Sequence, residues 1–345
     1  MRVSLFCSAL ALAVPSVASA ADLLIGDSQG DRVMRFSGVD GSLIDLNFIS
    51  ESAVGDVFAF PQKATLVGNE IWVSDQTNDN IQRFSQSGSL LGTVLGPTNG
   101  LDNVRGFAVS GNTLYVANLG TANGAPGVAV RRFNATTLAP LSNLTSATLT
   151  GLAGPWDVEN FDDDVVIADA GASSTNPLND TAFVYRVDGA TGDLKSIVIS
   201  SNAGSGLGLI KGLAQLRNGN LLVANNGTPQ RLSEVRIDQN NSVVRFFGLQ
   251  NVSVIDPDGS TIPVAQMFIN DAHELDNGLW LISTTAAGIS TTNGVYTLDP
   301  SDGTIRTIVR GVTSPMTPNL IGVIPEPTSL SLLAIPALLL TRRRR

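Results

Sequence analysis

Leu23-Leu24-Ile25-Gly26-Asp27, Ile71-Trp72-Val73-Ser74-Asp75, Leu114-Tyr115-Val116-Ala117-Asn118, Val165-Val166-Ile167-Ala168-Asp169, Leu221-Leu222-Val223-Ala224-Asn225 and Leu279-Trp280-Leu281-Ile282-Ser283 are six versions of one phrase, a short apolar run closed by a polar residue. Each is followed by a polar loop and a second run, with Arg in the middle of several copies: Val33-Met34-Arg35-Phe36, Ile81-Gln82-Arg83-Phe84, Val130-Arg131-Arg132-Phe133, Val184-Tyr185-Arg186-Val187, Val235-Arg236-Ile237 and Val295-Tyr296-Thr297-Leu298. A turn and a third run follow, as at Gly41-Ser42-Leu43 and Gly303-Thr304-Ile305. The equivalent positions recur roughly every 48 to 61 residues, the length of a four-stranded propeller blade with loop insertions.

An inner strand precedes five of the copies, at Gln62 to Leu66, Val104 to Val109, Trp156 to Glu159, Ile210 to Leu216 and Asp271 to Leu275. The first copy has no room for one. Asn319 to Val323 supplies it from the far end and closes the ring, so that apolar faces are covered and only short edges are left. The pattern predicts an all-β fold, a six-bladed β-propeller with four-stranded blades. The stretch Val252 to Val264 holds one or two extra strands and leaves a count of seven open.

Composition agrees with a globular body: 43% of the 345 residues are hydrophobic, 15% charged, and 34 are Gly. Setting aside the bases and acid of the two ends, the body carries roughly 13 net negative charges, which argues against a nucleic-acid partner. One Cys and one His exclude disulfide scaffolds, thiolate zinc sites and His-rich metal centres. Gly-rich phosphate loops, Gly-x-Ser-x-Gly and His-Glu-x-x-His are absent.

Residues 1–20 read as a secretory signal peptide, with Arg2, the apolar stretch Val3 to Val14 and the cleavage sequence Ala18-Ser19-Ala20. The alternative is a buried N-terminal helix. Cleavage removes Cys7 and leaves a mature chain from Ala21 without cysteine. At the other end, Pro325-Glu326-Pro327 is followed by a 14-residue apolar segment and Arg342-Arg343-Arg344-Arg345. A helix of that length rises about 21 Å, short of the ~30 Å of a bilayer core, which suits a transient transmembrane helix better than a permanent one. The arginines stay cytoplasmic by the positive-inside rule.

In this three-part order, residues 324–345 resemble the tail of PEP-CTERM sorting-domain proteins, with Ile324 in the place of the usual Val. The signal peptide implies export by the Sec machinery, and the resemblance implies recognition by a membrane-embedded exosortase, a transient inner-membrane tether, removal of the tail and delivery to the cell surface or extracellular polysaccharide matrix. An ordinary C-terminal anchor is the other reading of the same residues. The body, residues 21–323, resembles NHL-repeat and gluconolactonase-like propellers in its apolar run ending in Asp or Asn and its x-Arg-Phe strand. The latter resemblance implies a catalytic divalent cation in the channel; Glu159 and Glu274 sit within inner strands, and neither matches the family's glutamate by position.

Two polar sets are the candidate sites. Asp27, Asp75, Asn118, Asp169 and Asn225, completed by Ser283 and joined by Glu274, offer the oxygen ligands that Ca²⁺ takes; the same residues at strand ends also serve to bond loop N–H groups. At the starts of the inner strands, Lys63, Arg105, Trp156, Lys211, Asp271 and Asn319 form a second ring. In a body with three lysines this ring suits an acidic sugar or carboxylate, with Trp156 stacking on a sugar; in the plainer reading the same side chains pair with neighbouring acids and fill the channel. His273 reads either as a general base beside Asp271 and Glu274 or as a packed residue between blades. The function expected is therefore a non-catalytic surface protein that binds polysaccharide or another surface protein. The alternative is a divalent-cation-dependent, lactonase-like hydrolase or lyase.

Overall fold

The computed structural model describes residues 21–324 apart from 56, 172–181, 201–206, 239–240, 286–289 and 312–314. The signal peptide, Pro325, Glu326, Pro327, the apolar segment and Arg342 to Arg345 lie outside the described residues. No helix among the described residues is long and apolar enough to cross a membrane.

Six radial sheets make a six-bladed β-propeller. From the axis outward, blade 2 consists of Pro61–Val67, Glu70–Asp75, Asn80–Phe84 and Leu90–Leu95. Blade 4 runs Pro155–Phe161, Asp164–Asp169, Phe183–Asp188 and Leu194–Ser200, and blade 5 runs Ile210–Gln215, Leu221–Asn225, Arg231–Arg236 and Ser242–Gly248. Blade 3 has three ladder strands, Val104–Ser110, Thr113–Asn118 and Ala129–Asn134. Its outer place is held by two isolated bridges, Val130 to Leu144 and Phe133 to Pro140, where Pro140 has no N–H to extend a ladder. Blade 6 is Phe268–Glu274, Trp280–Thr285, Gly294–Leu298 and Ile305–Arg310. The extra strands near Val252 to Val264 are a hairpin, Gln250–Ile255 and Thr261–Gln266, added parallel to the rim of blade 6 through Val254 and Ile305. They widen the sixth sheet and form no seventh.

The seam is where the repeat placed it. Blade 1 takes its inner strand, Pro318–Ile324, from the far end of the chain, and Leu23, Leu24 and Ile25 pair antiparallel with Val323, Gly322 and Ile321.

Each second strand reads as an unbroken apolar run because both of its faces are covered. Leu23 and Ile25 pack toward blade 6 and Leu24 toward blade 2; Ile71 and Val73 pack toward blade 1 and Trp72 toward blade 3. The core is thus six apolar layers between blades. The recurring arginines lie further out and pair with an acid on the neighbouring strand, Arg35 with Asp22, Arg83 with Glu70 and Arg186 with Asp164. Such partly solvated pairs add little stability each.

Gly322 shows how tightly the seam is seated: a Cβ there would lie 1.9 Å from the Ala64 carbonyl oxygen of blade 2. Backbone cannot retreat cheaply from such a contact, so Gly322→Ala is expected to lower unfolding stability by about 2 kcal/mol or more. Urea denaturation of the variant against the parent checks this; an unchanged midpoint would mean that the last strand is not locked into the ring.

Candidate functional site

The polar residues that close the second strands clasp the loops leading into the inner strands. Asp75 accepts hydrogen bonds from the N–H groups of Ala59 and Phe60 on Oδ2 (2.8 and 2.9 Å) and from Thr77 and Asn78 on Oδ1 (3.1 and 2.8 Å). Asp169 accepts from Ala153, Gly154 and Gly171, and Asp27 from Thr317 N–H and the Arg32 guanidinium. Asn118 accepts from Asp102 N–H and donates to the Gly120 and Gly127 carbonyls. Asn225 accepts from Gly208 N–H and donates to Pro229 O, while the Ser283 hydroxyl donates to Asn319 O.

Through these bonds Asp27, Asp75, Asn118, Asp169 and Asn225 are each committed to the loops of their own blade, and Ser283 to the inner strand of blade 1. Glu274 stands at the other end of its strand, where Oε2 accepts from Arg217 N–H. Among the described residues no three Asp, Glu, His or Cys side chains form a metal-binding group.

The clasped loop has a geometric consequence. Just inside it, the pairing register of the inner strand slips, between Pro61 and Lys63, Val104 and Phe107, Pro155 and Asp157, Ile210 and Gly212, and Ile269 and Asp271. A β-bulge re-aims the extra residue. The bulge residues are Gln62, Arg105, Trp156, Lys211 and Asn270, with Asn319 in the corresponding place of blade 1. The ring expected from sequence therefore divides. Arg105, Trp156, Lys211 and Asn319 stand at the channel mouth, whereas Lys63 and Asp271 are one step deeper and Gln62 and Asn270 take their places. Pro61, Pro155 and Pro318 each precede a mouth residue, and aligning the strands on these prolines places Gln62 in the ring.

Side chains of the mouth reach from blade to blade. Lys211 Nζ donates to Asn270 Oδ1 (3.2 Å), Asn270 Nδ2 to Pro318 O (2.7 Å) and Asn319 Nδ2 to Pro61 O (2.9 Å). On the other arc Trp156 is approached by a cation from each neighbouring blade, Arg105 at 4.0 Å and Lys211 at 4.5 Å from ring centroids. The indole is thus already engaged by cations. No carboxylate among the described residues pairs with Arg105 or Lys211. Burial pushes the Arg105 guanidinium down to about 10 and, with Arg105's charge adding to it, pushes the Lys211 ammonium down to about 7. Arg105 Nε and Gln62 Oε1 are buried with no hydrogen-bond partner.

One step deeper the charges balance differently. Lys63, 1% exposed, crosses the channel from blade 2 to blade 4, where Nζ donates to Asp157 Oδ1 (2.8 Å), Val158 O (2.8 Å) and Glu159 Oε1 (2.5 Å). Asp157 and Asp271 each accept from an inner-strand N–H of the next blade, Leu213 and Ile321. Gly106 and Gly212 leave room for these carboxylates, since a Cβ on either would fall about 2.3 or 2.2 Å from an Asp oxygen. His273 lies half-buried on the far side of the channel, its imidazole pushed down to about 4 by burial and so neutral. Glu159, Gln215 and His273 line a cavity of about 280 Å³ there.

No protein-family model matches the chain, and no curated protein does either. Solved structures match its shape. A protein of unknown function from Bacteroides caccae is 16% identical with a TM-score of 0.55, covering 89% of this chain and 100% of its own. The nidogen/laminin complex gives 14% and 0.60 over 88% and 98%. The Cps50 (Swd1) β-propeller domain of Myceliophteria thermophila gives 14% and 0.53 over 88% and 90%. At such identities the likeness establishes the fold alone.

Because Asp75 holds two loops through four N–H groups, Asp75→Ala is expected to cost about 2–4 kcal/mol. The loss should be the same with calcium or with a chelator present, as read by thermal unfolding. A calcium-dependent difference confined to the parent protein would restore the cation reading.

Proposed function

We propose that this is an exported bacterial surface or matrix propeller that captures an acidic carbohydrate at the mouth of its channel without transforming it. In this reading residues 1–20 are removed on export, residues 21–323 form the binding body, and residues 324–345 are read and cut by an exosortase after a transient stay in the membrane.

The observation that carries the binding claim is the Arg105–Trp156–Lys211 arc: two cations with no carboxylate partner among the described residues, and buried polar atoms on Arg105 and Gln62 with no hydrogen-bond partner there. An uncompensated buried charge is costly, and a carboxylate in the mouth would offset that cost. Asn270 and Asn319, held by Lys211, Pro318 O and Pro61 O, brace this arc from the neighbouring blades. A stacking role for Trp156 is less well supported, because its ring already holds the two cations in place. The rival reading, a divalent-cation-dependent hydrolase or lyase, draws little support from strand-end oxygens already committed to backbone N–H groups.

Titration calorimetry with oligogalacturonate and with a neutral galactose oligomer tests the reading. The acidic oligomer is expected to bind and the neutral one not, with Arg105→Ala/Lys211→Ala weakening binding about tenfold or more. Because the Lys211 ammonium is held down to about 7, affinity should be fullest below that pH and fall as the amine loses its proton, with the bound anion moving the midpoint upward. Equal affinity for both oligomers, or a double variant that binds like the parent, would end the proposal. For the tail, replacing Pro325, Glu326 and Pro327 by alanine is expected to hold the chain in the membrane fraction; unchanged release would refute exosortase processing.

A further inference from the structure

Lys63, Asp157 and Glu159 take no part in the mouth and have an arrangement of their own. An amine and a carboxyl group 94 residues apart in sequence are held 2.8 Å apart, at 1% and 0% side-chain exposure, with a second carboxylate 2.5 Å from the same nitrogen. Holding two reacting groups at such range replaces a bimolecular encounter with an internal one. We propose that Lys63 and Asp157 condense into an isopeptide bond that ties blade 2 to blade 4 across the channel, with Glu159 moving the protons.

The chemistry balances without any co-reactant. A proton passes from the Lys63 ammonium to the Asp157 carboxylate along their hydrogen bond, giving a neutral amine and a neutral acid. The nitrogen lone pair attacks Asp157 Cγ to form the N–C bond and a tetrahedral centre. Glu159 takes the next proton from nitrogen and delivers it to the departing hydroxyl, so the C–O bond breaks, one water leaves, and Glu159 is regenerated. Nothing is oxidised or reduced.

The surroundings support each step. Val158 N–H (2.8 Å) and Leu213 N–H (3.3 Å) already donate to the Asp157 oxygens and are placed for the negative charge of the tetrahedral centre. Burial, with Asp157's charge adding to it and Lys63 opposing, pushes the Glu159 carboxyl up to about 7, so the relay group exists in both protonation states near neutrality. The cavity of about 280 Å³ beside Glu159 gives the released water a way out. Burial disfavours the Lys63 ammonium, yet Asp157 and Glu159 outweigh that and hold it well above the usual lysine range. The neutral amine is therefore reached only by transfer within the pair, and the bond should form slowly after folding. Condensation then removes a buried positive and a buried negative charge together, which lowers the cost of keeping both out of water.

Intact-protein mass spectrometry on the purified, folded chain decides the matter, with the N-terminus read from the same sample. The expected mass is about 18 Da, one water, below that of the sequence. A proteolytic digest should contain a branched peptide holding both Lys63 and Asp157, which distinguishes the bond from dehydration elsewhere. Glu159→Gln and Lys63→Arg, each shown to be folded by circular dichroism and gel filtration, are expected at full mass. A folded parent protein that keeps its full mass after prolonged incubation, or a lost water that maps to other residues, overturns the isopeptide; a Glu159→Gln protein that still loses water overturns the relay role. None of these results depends on what the channel mouth binds.

Discussion

A propeller blade cannot exist alone, because both of its faces are apolar and its inner edge is unpaired. Everything here depends on the antiparallel pairing of Pro318–Ile324 with Asp22–Asp27, which turns a row of six sheets into a ring. Closure brings blade 6 against blade 1 and covers Leu23, Ile25, Met34 and Phe36 with Leu275, Leu281 and Val295. It also delivers Asn319 to the mouth and Ile321 N–H to the Asp271 carboxylate. The channel and its chemistry exist only once the two ends of the body have met.

Along the axis the charges are sorted. Among the described residues, two cations near the mouth pair with no acid, whereas one step inward Asp157, Glu159 and Asp271 gather near Lys63. Burial drives Asp271 well above the ordinary carboxylate range, with Asp157's charge acting in the same direction. The deep cluster is satisfied by the Lys63 ammonium and by backbone N–H groups of the next blades, whereas the described mouth residues pair their cations with no carboxylate. In a body that is acidic overall, a small cationic opening focuses attraction onto one place.

Much of this was legible in the residues. The apolar runs ending in Asp or Asn carry the blade count, because a strand covered on both sides must be apolar throughout, and the seam follows from the inner strand that the first copy lacks. The hairpin at Gln250–Ile255 and Thr261–Gln266 was visible as strands but not as part of blade 6, since strand pattern does not reveal which edge a hairpin joins. The mouth was half legible. Arg105, Trp156, Lys211 and Asn319 fall in it; Lys63 and Asp271 do not, because a one-residue bulge shifts the register and period-two reasoning does not see bulges. The strand-end polar residues were readable as either ligands or clasps, because strand pattern does not show where the loop N–H groups lie.

Asp22 and Ile324 are direct partners in the seam, so the first strand begins and the last strand ends at one corner. The response to pulling follows from that placement. A load that draws the two ends apart opens the seam like a zipper, one hydrogen-bonded pair at a time, whereas a load shared along the strand would have to break all the pairs at once. Under the first kind of load this corner would yield first. A covalent tie between blades 2 and 4 would hold the opposite arc of the ring together while that corner gave way.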